Sequence, residues 1–447
     1  MEDKVMSVKQ LQEQLNKGEI TSVKLVEKAL KEHEKWIDKN AIAVISPYAF
    51  KQAIILDEER KQGKVRGPLH GIPLVIKDNI LYQDGTPTTA NAFSLHDLIP
   101  PFNAKIVDLL IKQGAIILGK ANLSEFAYFM SYDDMPSGYG SMYGQVKHPF
   151  DEKIDPYGSS TGSAVAVKLG IVELSIGSET NGSLMAPAYQ CQIVSVKPSF
   201  GLVSQHGIIP ISPTQDTAGP MANTVEDCAY LLDALVDKKH KSYSAKLDVP
   251  LHKQNIGFIT IKGHTYSDVE QEILKKAEHR LNQCGHEVTY LEIEQAHIAN
   301  DPTLLIEFKY ALNLFLNEVK GSTKMTSLSD IIQFNKDHDR RCLRYGQSIL
   351  EASEKTSGDL GDPSYVELRK DIVSKASLLQ RLMEEHHLTS AAAPLWMGFA
   401  PIYGNPSVCI PEGIYAGQPK AMVFVGLMND DENLLRLTHQ YQQLMIQ

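Results

Sequence analysis

Apolar positions recur at helical spacing from the start of the chain. Residues 7–17 predict a short helix, capped by Ser7 with Gln10 at the capping-box position and stopped by Gly18. Thr21 or Ser22 opens a second helix, to about Trp36, with Leu25, Val26, Ala29, Leu30 and His33 on one face. Short apolar runs then alternate with helical ones. They predict a strand over 41–45, a helix over 47–61, a strand over 74–76, a helix over 104–112 stopped by Gly114, and a strand over 115–118. This rhythm predicts an α/β sheet with helices on its faces.

The periodicity lapses over 120–157, where Pro136, Gly138, Gly140, Gly144, Pro149 and Pro156 predict a long ordered loop. It resumes with a helix over 163–168, strands over 171–176 and 193–196, and a helix over 224–235. Near residue 237 the composition shifts, and Lys238-Lys239-His240-Lys241 reads as a charged surface linker. Beyond it a strand over 256–260, a helix opened by the Ser267/Glu270 capping box and a strand over 286–293 make a βαβ unit. Residues 303–386 are mostly helical and charged. Strands over 408–410 and 422–425 and a helix over 431–444 close the chain, which has no internal repeat.

Composition narrows the function classes. The chain has 447 residues, and a net charge of −10 argues against binding to nucleic acid or an anionic membrane. The five cysteines are widely spaced and odd in number, which predicts a reducing compartment. The amphipathic N-terminus lacks the apolar stretch of a secretory signal, and no apolar run approaches the ~20 residues that span a bilayer. The expectation is a soluble, cytoplasmic protein.

The stretch 155–201 stands apart. It holds two small-residue clusters, Gly158-Ser159-Ser160-Thr161-Gly162-Ser163 and Gly177-Ser178-Glu179-Thr180-Asn181-Gly182-Ser183, on either side of an apolar run. Such residues bury little apolar area, so their use is close backbone approach. Gly158-Ser159-Ser160-Thr161-Gly162 matches the G-x-S-x-G elbow of α/β-hydrolases. That motif needs a strand directly before it, and here the preceding residues are polar and proline-bearing. There is no Walker A pattern, and the glycines at 138, 140 and 144 have the wrong spacing for a dinucleotide fingerprint. His338 and Cys342 stand at i, i+4, and His386 and His387 are adjacent, but no acidic or thiol set completes a metal site. Lys77 ends an apolar strand, where a lysine usually snorkels to the surface.

Taken together, these elements resemble the amidase signature family of Ser-cisSer-Lys hydrolases. The resemblance runs through HGIPLVIKDNI (70–80), LGKANLSEFA (118–127), GSSTGSAVAV (158–167), GSETNGS (177–183), VKPSFGLVSQHGIIPIS (196–212), QDTAGPMANTVEDCAYLL (215–232) and YGNPSVCIPEG (403–413). It implies one α/β domain over 1–447, a large mixed, twisted central sheet covered on both faces by helices. A catalytic core over 60–235 and a variable, mostly helical, substrate-shaping region over 240–390 are implied within it. It also implies Ser183 as nucleophile, Ser159 as bridging serine behind a cis Gly158–Ser159 peptide, and Lys77 as base. The backbone N–H groups of Thr180, Asn181, Gly182 and Ser183 are implied as the oxyanion hole. The chemistry is coherent, because a serine hydroxyl needs an adjacent base and a lysine can serve only when neutral. Its pKa must then fall from about 10.4 toward ~7–8, which burial achieves.

By the same resemblance the protein is an amidohydrolase with no cofactor and no metal. Its ligand is a small-molecule or peptide amide, with neither nucleic acid nor membrane as partner and a homodimer left open. Phe129, Ser131 and Met142 are candidates for the pocket lining, with the loop 128–145. Two positions depart from the family pattern. Asn181 stands where glycine is common, in a turn whose left-handed angles asparagine tolerates best. Leu184-Met185 follow the serine where many relatives have arginine two residues on. The missing cation speaks against the glutamine-hydrolysing component of a glutamyl/aspartyl-tRNA amidotransferase, and the intact triad against a non-catalytic binding protein. The stretches 307–319 and 328–358 look like bacterial peptide-amidase-type members, which release ammonia from C-terminal amides of peptides.

Overall fold

Local signals in the sequence are realised where they close hydrogen bonds. In the computed structural model, which describes residues 6–237 and 242–446, Ser7 Oγ accepts the Gln10 N–H and Gln10 Oε1 accepts the Ser7 N–H. The helix Val8–Lys17 between these caps ends on Gly18 at φ +71°. The same box at Ser267 and Glu270 opens the helix Asp268–Gln283. The charged segment 238–241, expected as a linker, lies outside the described residues.

Among the described residues eleven strands form one sheet: β1 (Ile42–Ile45), β2 (Pro73–Lys77), β3 (Ile116–Ala121), β4 (Leu174–Glu179), β5 (Val194–Lys197), β6 (Thr217–Ala222), β7 (Asn255–Ile261), β8 (Glu287–Ile293), β9 (Ser390–Ala393), β10 (Ser407–Tyr415) and β11 (Gln418–Gly426). Their spatial order is β1-β3-β2-β4-β6-β5-β10-β11-β9-β7-β8. β2 is parallel to β3 and β4, and β7 to β8 and β9. The other pairs are antiparallel, so the sheet is mixed, as expected. The expected βαβ unit sits at the β7–β8 edge.

Both faces are covered. Leu74 and Ile76 of β2 join a large apolar core with the helices Lys105–Lys112, Val225–Leu235 and Asp431–Ile446. Val75 joins a second core with Ser22–Lys35, Ala49–Lys61, Thr161–Lys168 and Met185–Cys191. Alternation along a strand sends Lys77 to the same face as Val75. That is the face carrying the helix that begins just after Ser159 and Ser160.

Three elements depart from the sequence reading. β6 contains Gly219 and Pro220, which signal turns, yet it pairs with both β4 and β5. β9 reads Ser-Ala-Ala-Ala, with no β-branched residue to announce a strand. The helix Met185–Cys191 follows the second serine cluster unannounced, with Pro187 in its first turn, where proline is tolerated. Of the segment 120–157, expected as a loop, Lys120 and Ala121 complete β3 and Glu125–Tyr128 is a short 3-10 helix; the rest is a loop fastened by side chains. Asn91 Nδ2 donates to the Leu123 carbonyl at 2.7 Å, and the Glu125 carboxyl accepts from both the N–H and the hydroxyl of Ser141 at 2.8 Å.

Candidate active site

β2 and β4 run side by side and parallel, with Ile76 opposite Ile176, so their carboxyl ends emerge together. Open α/β sheets place ligands at such ends. Lys77 closes β2 and is fully buried. Its Nζ lies 2.7 Å from Ser159 Oγ and 3.0 Å from Ser160 Oγ, Ser178 Oγ and the Ser178 carbonyl. Burial presses its pKa down to about 7, against the charges of Asp216 and Glu179, which raise it. A lysine so placed is neutral for much of the population near neutral pH.

The first cluster reaches Lys77 because it is built from small residues. Gly162 N–H donates to the Asn122 carbonyl at 2.9 Å. A Cβ on Gly162 would sit 2.2 Å from the Ala41 carbonyl oxygen, so this position takes no side chain. The Gly158–Ser159 peptide is cis, in agreement with the resemblance.

The second cluster is a turn held by Glu179. Its Oε2 accepts the Leu184 N–H at 2.7 Å and the Met185 N–H at 3.1 Å, folding residues 180–183 between strand and helix. Gly182 takes φ +92°, with the Trp396 indole about 3.1 Å from where a Cβ would stand. The Ser160 N–H donates to the Ser183 carbonyl at 3.2 Å and ties the two clusters together. Ser183 is 8% exposed, and its hydroxyl has no hydrogen-bond partner among the described residues. The backbone N–H groups of Thr180, Asn181, Gly182 and Ser183 likewise donate to no acceptor among the described residues. Four unclaimed donors in one buried turn are uncommon, since almost all buried backbone N–H groups are paired.

Asn181 does not take left-handed angles; in this turn Gly182 alone does. The expectation that asparagine survives by tolerating positive φ is therefore replaced by a contact. Asn181 Nδ2 makes a long 3.4 Å hydrogen bond to Asn300 Oδ1. Asn300 Nδ2 donates to Gln215 Oε1 at 2.9 Å, and Gln215 Nε2 donates to the Thr180 carbonyl at 3.0 Å.

A parallel chain of bonds reaches the same turn. Thr180 Oγ1 donates to Asp216 Oδ1 at 2.5 Å, and Asp216 Oδ2 accepts the N–H groups of Ile211 and Ser212. Ser212 Oγ donates to Glu307, which also accepts from Tyr365 OH at 2.7 Å. Asn300 and Glu307 lie at the start and in the second turn of the helix Asp301–Glu318. This helix therefore braces the 180–183 turn twice. Glu307→Gln keeps the shape and withdraws an acceptor and a charge. It is expected to lower kcat about tenfold with little change in KM, since small misplacements at a reacting centre are costly. Steady-state kinetics on a simple amide, with a thermal melt to confirm folding, checks this.

Sequence reasoning missed Ser160, Ser178, Glu179, Asp216, Asn300 and Trp396. The first four lie inside or beside the family motifs and could have been inspected as supports. Asn300 and Trp396 carry no sequence signal. Phe129, Ser131 and Met142 make contacts that run to the helical region 303–386. Phe129 packs on Phe308, Ser131 bonds Ser348, and the Met142 carbonyl accepts from Arg341. The structure thus joins the loop 128–145 to that region. His338 stacks on Phe334 with ring centroids 4.1 Å apart, Cys342 is buried, and His386 and His387 are exposed.

Residues 24–369 match the family described as Amidase. A probable amidase of Arabidopsis thaliana is 32% identical over 460 aligned residues, covering 96% of this chain and 88% of that protein. The solved structure of native peptide amidase from Stenotrophomonas maltophilia superposes with a TM-score of 0.91 at 32% identity, covering 98% of this chain and 96% of that one. A glutamyl-tRNA(Gln) amidotransferase component from Prochlorococcus marinus is 28% identical over 98% of this chain and 97% of its own length.

Proposed function

The chain belongs to the amidase family and is an amide-hydrolysing enzyme, and from that premise we propose that it works through a seryl acyl-enzyme with Ser183, Ser159 and Lys77 as its triad. Neutral Lys77 takes the proton of Ser159 as Ser159 takes that of Ser183, and Ser183 Oγ attacks the amide carbonyl. The N–H groups of residues 180–183 hold the oxyanion, the usual largest electrostatic contribution to such a step. The protons return along the same path to the leaving nitrogen, ammonia or amine departs, and water cleaves the ester to the free acid. The observation that carries this reading is the buried Lys77 Nζ at 2.7 Å from Ser159 Oγ, beside a turn with four unclaimed N–H donors. The free Ser183 hydroxyl fits a resting site, since catalytic hydrogen bonds often tighten only once substrate is bound.

The finer reading is a cytoplasmic enzyme acting on primary amides, peptide amides included. It is supported by the peptide amidase at 32% identity and by cysteines that are all free. Among the described residues no helix is long and apolar enough to cross a membrane. The division into a catalytic core over 60–235 and a substrate-shaping region over 240–390 is part of the same proposal. Its support is that strands from both belong to one sheet and that Asn300 and Glu307 brace the turn. An ammonia-release assay on aliphatic, aryl and peptide amides tests it. Ammonia from peptide amides is the expected result. Release that requires added partner proteins and glutamine would favour the amidotransferase reading instead.

A further inference from the structure

One helix is apolar on both sides. The helix Ala49–Lys61 turns Ala49, Ala53 and Leu56 into the core that it shares with Ser22–Lys35. Its other side carries Phe50, Ile54 and Ile55 at 41%, 59% and 44% exposure, with Tyr48 at 46% immediately before it. Single apolar side chains on a surface need no account, but four within eight residues make a patch. The helix is held from within. Asp57 accepts the N–H groups of Ser22 and Val23 at 2.7 and 3.1 Å, and Arg60 donates to the His70 carbonyl at 2.8 Å. Rolling the patch inward would break these bonds.

Two charges frame the patch. Lys51 is exposed, with no ion pair or hydrogen bond from its side chain among the described residues. Glu58 meets Lys61 at 3.6 Å and accepts from Gln62 at 3.2 Å, and such exposed contacts hold it weakly. At 3.6 residues per turn, Lys51 and Glu58 lie within about 20° of each other around the helix, and Ile54 and Ile55 flank that line on either side. Along the helix the two charges stand about 5 Å to either side of the point midway between Ile54 and Ile55.

We propose that this face docks a second copy of the chain, with the two helices antiparallel about a two-fold axis level with the Ile54–Ile55 midpoint. A two-fold contact must be self-complementary, and this face is. Ile54 meets its own counterpart, as does Ile55, and at both ends Lys51 faces the counterpart of Glu58. A different protein or a membrane surface would not require charges at equal distances from an apolar centre, and that spacing is what selects a second copy. The helix contributes no residue to the candidate active site, so the proposal stands or falls apart from the hydrolytic reading.

Sedimentation velocity over a concentration series up to about 100 µM tests this. The parent should dimerise. Ile54→Lys sets two like charges against each other, because that residue faces its own counterpart, and should weaken the dimer about a hundredfold. Lys51→Glu turns both framing pairs repulsive and should weaken it about tenfold, and Lys51→Glu with Glu58→Lys should bring it back to within about threefold of the parent. All three positions are exposed, so thermal melts and amide hydrolysis should match the parent and show the variants folded. A parent that stays monomeric throughout the series overturns the proposal and leaves the patch to another kind of partner. A dimer unmoved by Ile54→Lys overturns it by placing the contact elsewhere. A dimer that the single reversal weakens and the double reversal does not restore overturns the antiparallel arrangement.

Discussion

Ser183→Ala is expected to lower amide hydrolysis by roughly 10⁴-fold or more while the protein stays folded, as removal of a nucleophile does in other serine enzymes. The loss follows from the proposed chemistry, because the substitution removes the attacking hydroxyl and the other hydroxyl of the turn, Thr180 Oγ1, donates to Asp216. The intact fold follows from contacts. The Ser183 hydroxyl has no hydrogen-bond partner among the described residues, so alanine strands no buried partner and opens almost no cavity. The bond that ties the clusters uses the Ser183 carbonyl, which alanine retains. Stability should therefore stay within about 0.5 kcal/mol, as for substitutions that touch no named support. Ammonia release measured beside a thermal melt decides the matter. Wild-type turnover in this variant would remove Ser183 from the nucleophile's role. Ser159→Ala should differ in kind, because it removes the bridging hydroxyl 2.7 Å from Lys77 Nζ while Ser160 Oγ, Ser178 Oγ and the Ser178 carbonyl still accept from the lysine.

What the chain discloses before folding depends on where a signal comes from. β2 is legible because Pro73–Ile76 is a continuous apolar run with Lys77 at its end; β4 is legible only in part, since the strand expected over 171–176 runs over Leu174–Glu179 and carries Ser175, Gly177 and Ser178. The Ser7 and Ser267 caps are legible because four residues suffice to write them. β6 is not, since Gly219 and Pro220 argue for a turn. It becomes a strand because β4 and β5 flank it on both sides, a tertiary context that overrides local preference. The same holds for β9, whose alanines gain strand character from the pairings with β7 and β11. Asn181 shows the subtler failure. A turn position expected to need positive φ instead passes that demand to Gly182 and uses its amide to reach Asn300, more than a hundred residues on. A cleft lined by Tyr157, Ala186, Val269, Trp396 and Tyr415 is out of reach altogether, because its walls come from five separate segments of the chain.

Lys77 sets the second large expectation, a pH profile with an acid limb near 7. Burial holds its pKa at about 7, so at pH 6 only about a tenth of the enzyme carries the neutral amine, and below that the rate falls tenfold per pH unit. Above about pH 8 the rate should level off. Lys77→Arg keeps a cation in place but cannot be deprotonated. It should lose roughly 10³-fold in kcat, and the limb should vanish with it. Asp216→Asn removes the larger of the two charges that raise the lysine pKa, so the limb should move to lower pH in whatever activity remains. A wild-type rate that is flat from pH 6 to 9, with chemistry rate-limiting, would sink the neutral-lysine base. Stability should move in the same direction as activity. The lysine titrates near 7 when folded and near 10.4 when unfolded. Between these values the unfolded chain binds the extra proton, so this residue's contribution to stability rises with pH across the window. Denaturant titrations at pH 7 and pH 9 on the parent and on Lys77→Met should show that slope in the first and its loss in the second. Lys77 would then be a group whose burial costs stability at the pH where its chemistry begins, which is the expected signature of a site kept for function and not for the fold.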